Sequence, residues 1–182
     1  EVIATPAPNS SGANEFLVAG NEAFFSIDST IWRTEGSAAT TGVVAEVLSS
    51  GVRRLDAWSQ EVLALSSDLW LTSSEAPTGA IRLSAFDDSI GFQILDQASL
   101  TSRIVLFGYD LAHGQELWVS DGTEESAALL VDIRPGPASG VTFPVLDRYA
   151  ELRARKFGSA GNYAVFAANN GVQGEELWVT DG

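Results

Sequence analysis

The sequence contains no cysteine and no methionine, and its single histidine is His113. The lack of cysteine excludes disulfides, thiolate catalysis and zinc sites built on cysteine. One histidine is too few for a multi-histidine metal site, and the lack of methionine predicts a processed or trimmed chain. The longest apolar runs, such as residues 127–131, are far shorter than the ~20 residues that a membrane-spanning helix needs. We therefore expect no transmembrane segment.

Positive charge is also scarce. Ten Lys and Arg residues stand against 24 Asp and Glu residues, which gives the chain of 182 residues a formal net charge of −14. Phosphate binding requires a positive surface, so this balance argues against a nucleic-acid or anionic-membrane partner. Hydrophobic residues make up 45% of the chain, which is enough for one folded domain with its own core.

The chain contains an internal repeat. Residues 105–122 read VLFGYDLAHGQELWVSDG and residues 165–182 read VFAANNGVQGEELWVTDG, and eight of these 18 aligned positions are identical. Fainter copies are AFFSIDSTIWRTEG at residues 23–36 and VLALSSDLWLTSSE at residues 62–75. A chain built from four such copies predicts a repeat architecture.

One tryptophan occupies the same position in each copy and marks the core of that unit. These residues are Trp32, Trp70, Trp118 and Trp178, and they are spaced by 38, 48 and 60 residues. One propeller blade takes about 40–50 residues. We therefore expect residues 1–182 to form a single all-β domain, β-propeller-like, with about four four-stranded blades of roughly 45–50 residues each.

The third copy has the composition of consecutive strands. Residues 92–96 and 103–109 are rich in β-branched and aromatic side chains, and ELWVSD begins the next strand after a glycine-containing loop. Asp121-Gly122 predicts a tight turn, because glycine adopts positive φ without strain. Residues 127–133 predict a further strand, and residues 147–156 are the one stretch with helical character.

The segment ELWVSDGTEESAALLVDIRPG, residues 116–136, resembles the ELWxxDGT repeat of bacterial surface and secreted proteins, as does ELWVTDG at residues 176–182. The third copy departs from the family at Glu125-Ser126, where a Gly-Thr pair is usual. The first two copies keep the tryptophan but lose the rest of the motif. The resemblance implies a β-propeller-like, non-catalytic protein that acts outside the cytoplasm, whether secreted, periplasmic or at the cell surface.

The first residues look like the end of a repeat. Residues 1–8 align with residues 130–137 and share a Pro-x-Pro with them. If this N-terminal strand completes the last unit, it closes a ring and removes two open sheet edges. The alternative is an arc cut from a longer repeat array.

The recurrent side chains have two interpretations each. A tryptophan repeated in mid-strand predicts packing between blades, but Trp118 and Trp178 are also candidates for stacking on a glycan. Asp121 and Asp181 predict turns, with calcium binding as the alternative, although the D-x-D-x-D-G spacing of a calcium loop is missing. Apart from calcium, we expect no cofactor.

We expect no catalysis from this chain. His113 has no Gly-x-Ser-x-Gly motif to accompany it and aligns with Gln173, so we interpret it as a solvated loop residue. Neighbouring acids such as Asp87-Asp88 point to opposite faces of a strand, which argues against a glycoside hydrolase. Glu116 and Glu176, each before a Leu-Trp pair that we expect to be buried, are predicted to bond to loops or edges.

One cationic cluster breaks the repeat period. Arg148, Arg153, Arg155 and Lys156 lie in the segment that lengthens the last tryptophan spacing to 60 residues. On an acidic protein this cluster predicts a dock for another protein subunit or another copy, with a solvated loop as the alternative. The sequence therefore favours a non-catalytic, extracytoplasmic binding or scaffold module. A lectin-like glycan-binding propeller is the alternative, and a glycoside hydrolase is a more distant one.

Overall fold

The chain is all-β, as predicted. The computed structural model describes residues 2, 10, 12–47, 51–66, 68–73, 79–83, 93–141 and 157–182. These residues form four antiparallel sheets and one short 3-10 turn, Ala38–Thr40. Clustering of the backbone divides the chain into two compact units, Glu1–Leu83 and Ser84–Gly182.

The first unit contains two four-stranded sheets, in which strands pair in the order of the sequence. Sheet 1 consists of β1 (Ala13–Ala19), β2 (Glu22–Ile27), β3 (Thr30–Thr34) and β4 (Gly42–Glu46). Sheet 2 consists of β5 (Arg54–Trp58), β6 (Glu61–Leu65), β7 (Leu69–Ser73) and β8 (Ile81–Arg82). The hairpins β2–β3 and β6–β7 coincide with the two faint repeats of the sequence.

The second unit contains a four-stranded sheet and a three-stranded sheet. Sheet 3 consists of β9 (Gln93–Ser99), β10 (Ile104–Asp110), β11 (Gly114–Ser120) and β12 (Ala128–Val131). Sheet 4 consists of β13 (Phe157–Ala160), β14 (Tyr163–Asn169) and β15 (Glu175–Thr180). The strands predicted in the third copy are confirmed to within a few residues.

Each unit has its own hydrophobic core between its two sheets. In the first unit, Phe24 and Ile31 of sheet 1 pack with Val62 and Trp70 of sheet 2. In the second unit the rings of Phe107 and Phe157 stack with their centroids 3.7 Å apart. Phe166 meets Phe107 edge-on at 5.5 Å, an arrangement that aromatic pairs favour.

Every repeat carries an aliphatic residue followed by tryptophan, and the two side chains point to opposite faces of the sheet. The pairs are Ile31-Trp32, Leu69-Trp70, Leu117-Trp118 and Leu177-Trp178. In the first unit Ile31 faces sheet 2 and Trp70 faces sheet 1. In the second unit Leu117 faces sheet 4 and Trp178 packs toward sheet 3. The predicted role of tryptophan in packing one sheet on the next is confirmed for Trp70 and Trp178.

Three predicted features lie outside the described residues. These are the N-terminal strand over residues 1–8, of which only Val2 is described, the helical stretch at residues 147–156, and the cationic cluster within that stretch. Across the part of the chain that the structure describes, no helix has both the length and the apolarity to span a membrane.

Replacing Trp118 by alanine should lower the free energy of unfolding by about 3–5 kcal/mol, because removing a buried large aromatic leaves a cavity. Its side chain is 7% exposed. Val172→Ala, at an exposed loop position, is the control and should change stability by less than about 0.5 kcal/mol. Urea denaturation followed by circular dichroism measures both. Equal effects of the two substitutions would contradict the buried packing of Trp118.

Candidate functional site

The carboxylate of Glu116 organises the loop that follows β12. Glu116 is fully buried in β11. One oxygen, Oε2, accepts a hydrogen bond from the backbone N–H of Ile133 at 2.9 Å, and Oε1 accepts from Gly140 at 2.7 Å and Arg134 at 3.3 Å. The predicted loop-bonding role is confirmed for Glu116, which satisfies three backbone donors that β12 and its loop would otherwise leave without acceptors.

The loop fits closely around this carboxylate. A Cβ atom added at Gly140 would come within 2.7 Å of both oxygens of Glu116, so glycine is required there. At Gly114, where φ is +71°, an added Cβ would come within 2.9 Å of the backbone of Pro137 and Ser139. The backbone N–H of Gln115 donates to the hydroxyl of Ser139 at 3.0 Å. These contacts fix residues 133–140 against the start of β11.

Two opposing effects act on the pKa of Glu116. Burial raises it above the ordinary value, while the hydrogen bonds from Ile133, Gly140 and Arg134 lower it, and burial is the larger effect. A folded pKa above the unfolded one means that this group stabilises the fold at pH values below the unfolded pKa. That contribution is lost as the pH rises through the folded pKa.

Glu176 occupies the same motif position in sheet 4 but is exposed. Its neighbour Leu177 is 80% exposed, whereas Leu117 in sheet 3 is 1% exposed. The expectation of a buried Leu-Trp pair is therefore wrong for Leu177. The physical reason is that Leu117 packs in the core with Ile133 of the loop after β12 and with Phe157 and Phe166 of sheet 4, whereas Leu177 belongs to no hydrophobic cluster of the described residues.

The loops between β10 and β11 and between β14 and β15 share one hydrogen-bond pattern. Oδ1 of Asp110 accepts from the backbone N–H groups of Ala112 and His113 at 2.9 and 2.6 Å. In the second loop, Oδ1 of Asn170 accepts from the equivalent positions, Val172 and Gln173, at 2.9 and 3.1 Å. An Asp or Asn that bonds to its own following backbone forms such a turn.

Each loop also joins its first residue to the fourth through side chains. Nδ1 of His113 lies 2.8 Å from Oδ2 of Asp110, and Nδ2 of Asn170 donates to Oε1 of Gln173 at 3.2 Å. The hydrogen bond to Asp110 is the main cause of the raised pKa of His113. His113 therefore lies in a loop, as predicted, with its side chain 34% exposed and paired with Asp110.

Of the two predicted metal candidates, Asp121 is a turn residue in the structure. Oδ1 of Asp121 accepts from the hydroxyl of Thr123 at 2.6 Å and from its backbone N–H at 3.0 Å, and these bonds lower the pKa of Asp121. Asp181 is exposed at the end of β15. Within the described ranges, no group of three or more His, Asp or Glu side chains has the geometry to hold a metal ion.

The predicted glycan and partner residues are not brought together in the described part. Trp118 is buried and meets the imidazole of His113 edge-on, with ring centroids 6.3 Å apart. It offers no open ring face to a sugar. Trp178 is half-buried against the core of the second unit. The four cationic candidates, Arg148, Arg153, Arg155 and Lys156, lie outside the described residues.

Sequence reasoning missed an aromatic row across sheet 1. Phe16, Phe25, Trp32 and Val43 are directly paired neighbours on successive strands. The rings of Phe16 and Phe25 stack at 6.3 Å and those of Phe25 and Trp32 at 6.2 Å. The alternation of Phe16 and Val18 in the sequence was the available signal, but it does not say whether that face is covered.

The chain was compared with known proteins. No model of a protein family matches it, and no curated protein matches it. Two crystal structures of computationally designed proteins are similar in fold. Ika8 gives a TM-score of 0.54 at 15% identity, over 93% of this chain and 46% of Ika8. For Ika4 the TM-score is 0.52 at 14% identity, over 98% of this chain and 97% of Ika4. The chain thus spans about half the length of Ika8.

Glu116→Gln should reduce the free energy of unfolding by about 1–3 kcal/mol, because the amide group replaces one acceptor and leaves a buried N–H without a partner. The matched control is Glu176→Gln at the exposed equivalent position, where we expect almost no change. Urea denaturation of both variants provides the measurement. Equal stability of the two variants would mean that the carboxylate does not hold the loop.

The imidazole of His113 should titrate above the usual value of about 6.5, because Asp110 stabilises its protonated form. This pair then adds stability below the unfolded pKa and loses it as the pH rises through the folded pKa. The double variant Asp110→Asn with His113→Gln reproduces the loop of the fourth copy and should remove that pH dependence while keeping the turn. Proton NMR titration and melting temperatures across the pH range test this. An unshifted imidazole would contradict the pairing.

Proposed function

We propose that the chain is a non-catalytic, extracytoplasmic binding and scaffold module whose four sheets are blades of a β-propeller. It mediates association between proteins. The all-β repeat fold supports this proposal, as does the resemblance of residues 116–136 to a repeat of bacterial surface and secreted proteins. The cationic cluster from Arg148 to Lys156 remains a proposed dock for an acidic partner.

The observation that carries the proposal is the open outer edge of β15. In sheet 3 the equivalent strand, β11, pairs with β12 and is covered by the loop at Ile133. In the described residues β15 has no such neighbour, and its apolar Leu177 and Val179 are exposed. An unpaired strand edge with apolar side chains accepts another strand through backbone hydrogen bonds.

Residues 1–8 resemble the segment that adjoins β11, since they align with residues 130–137, which include the end of β12 and the loop bound by Glu116. We propose that they pair with the outer edge of β15, in the same chain or in another copy. The carboxylate of Glu176 then accepts backbone N–H groups, as that of Glu116 does. Within one chain this pairing closes a four-bladed ring, and between chains it joins two copies.

The lectin-like alternative has less support from the geometry. A glycan platform needs an aromatic ring with an accessible face. Trp118 is buried, and Trp178 is half-buried with its ring packed toward sheet 3. Protein association is therefore the function that the exposed strand supports best.

Hydrogen exchange measured by NMR tests the proposed strand addition. We expect the amides of Val2 and Ile3 to exchange about tenfold or more slowly than in an unstructured peptide, as paired strand amides do. The double variant Leu177→Lys with Val179→Lys should make them fast, because charged residues on an edge prevent strand addition. Val172→Lys, at an exposed loop position, is the control and should leave them slow.

Fast exchange at Val2 and Ile3 in the unaltered chain would overturn the proposed pairing. The choice between protein and glycan partners is tested by native electrophoresis through gels with and without dissolved mannan or β-glucan. We expect equal mobility in all of these gels. Retardation that disappears in a Trp178→Ala variant would overturn the protein-association function and favour the lectin.

A further inference from the structure

The Ile/Leu-Trp pairs give every sheet two different faces. The aliphatic residue before the tryptophan lies on one face, and the tryptophan lies on the other. In the first unit the Trp70 face of sheet 2 packs on the Ile31 face of sheet 1. In the second unit the Trp178 face of sheet 4 packs on the Leu117 face of sheet 3. In both units, therefore, the aliphatic face of the earlier sheet packs on the tryptophan face of the later sheet.

The tryptophan face of sheet 1 is apolar, and its outer residues are exposed. We call it the head face, and it consists of Phe16, Val18, Trp32 and Val43 around the buried ring of Phe25. Phe16 is 72% exposed, and Val18 and Val43 are also exposed. The stacked rings described above join the first three strands across this surface. Exposed apolar surface of this kind marks an interaction site in a soluble protein.

The aliphatic face of sheet 4 is its counterpart. We call it the tail face, and it consists of Leu177 and Val179 on β15, both exposed. In sheet 3 the equivalent residue Leu117 belongs to the core formed with Phe157 and Phe166 of sheet 4. In both units an aliphatic face packs on a tryptophan face, so we expect the aliphatic tail face to pack on a tryptophan face as well. The head face is a tryptophan face whose outer residues are exposed in a single chain.

We propose that the head face of one copy of the chain packs against the tail face of a second copy, and that the reciprocal contact closes a two-copy assembly. This inference rests on the proposed function and names its partner as the chain itself. A second copy fits as the partner because it carries the complementary surface, the exposed Leu177 and Val179 of its own tail face.

A head-to-tail contact has a definite symmetry. The two surfaces differ, so each copy uses both of them, and the assembly stops growing only if the rotation between copies closes. Two identical contacts in a closed pair also reinforce each other, because the second forms within an assembly already held by the first. A contact of head on head would instead use one surface and leave both tail faces exposed.

Sedimentation velocity on the full chain at rising protein concentration tests the proposal. We expect a species with twice the chain mass of 19.2 kDa. The head variant Phe16→Lys with Val18→Lys and the tail variant Leu177→Glu with Val179→Glu should each sediment as a monomer. All four positions are exposed in the single chain, so circular dichroism should show both variants folded. Leu111→Lys, at an exposed loop position, is the control and should remain a dimer.

Mixing the two variants provides the decisive measurement. In a mixed pair one contact is unaltered, and the other brings lysines opposite glutamates, so we expect the dimer to return. A tail variant that dimerises alone would show a head-to-head contact and overturn the proposal, as would a mixture that stays monomeric. A monomeric unaltered chain would also overturn it, in favour of closure within one chain or a different partner. Polysaccharide retardation is measured separately, so failure of the protein-association function is distinguishable from failure of self-association.

Discussion

Side chains alternate between the two faces of a β-strand, and the packing of this chain depends on that alternation. An aliphatic residue followed directly by tryptophan places a small and a large apolar group on opposite faces of the same sheet. The sheet then has two different surfaces, and within each unit the aliphatic surface of the first sheet packs on the tryptophan surface of the second. Ile31 with Trp70 and Leu117 with Trp178 show this relation in the two units.

The third and fourth repeats show how strongly surroundings determine what a motif does. Both contain Glu-Leu-Trp-Val, yet the glutamate is a fully buried acceptor of three backbone hydrogen bonds in one and an exposed side chain in the other. The difference lies in β12 and the loop after it, which directly follow β11 in the third repeat. The glutamate of this motif therefore accepts backbone hydrogen bonds only where an adjoining strand and its loop pack beside it.

The sequence predicts the local part of this fold well. Strand composition, turn residues and the tryptophan period indicate the hairpins, the four sheets and the loop-bonding role of Glu116. Local sequence patterns do not predict which distant segments pack against each other. For that reason the exposure of Leu177 and the pairing of Asp110 with His113 were not anticipated, since the first depends on which segments pack on that face of the sheet and the second on loop geometry. The division into two compact units has no counterpart in the spacing of the tryptophans.

Every sheet pairs strands that follow one another in the sequence. Such pairing requires only short loop closures, which cost little chain entropy and allow fast folding. Each sheet can then form as soon as its own strands have left the ribosome, without waiting for later parts of the chain. Segments between sheets are free to change length during evolution because they do not alter any strand register. The widening intervals between the tryptophans of successive repeats, from 38 to 60 residues, are what this freedom allows.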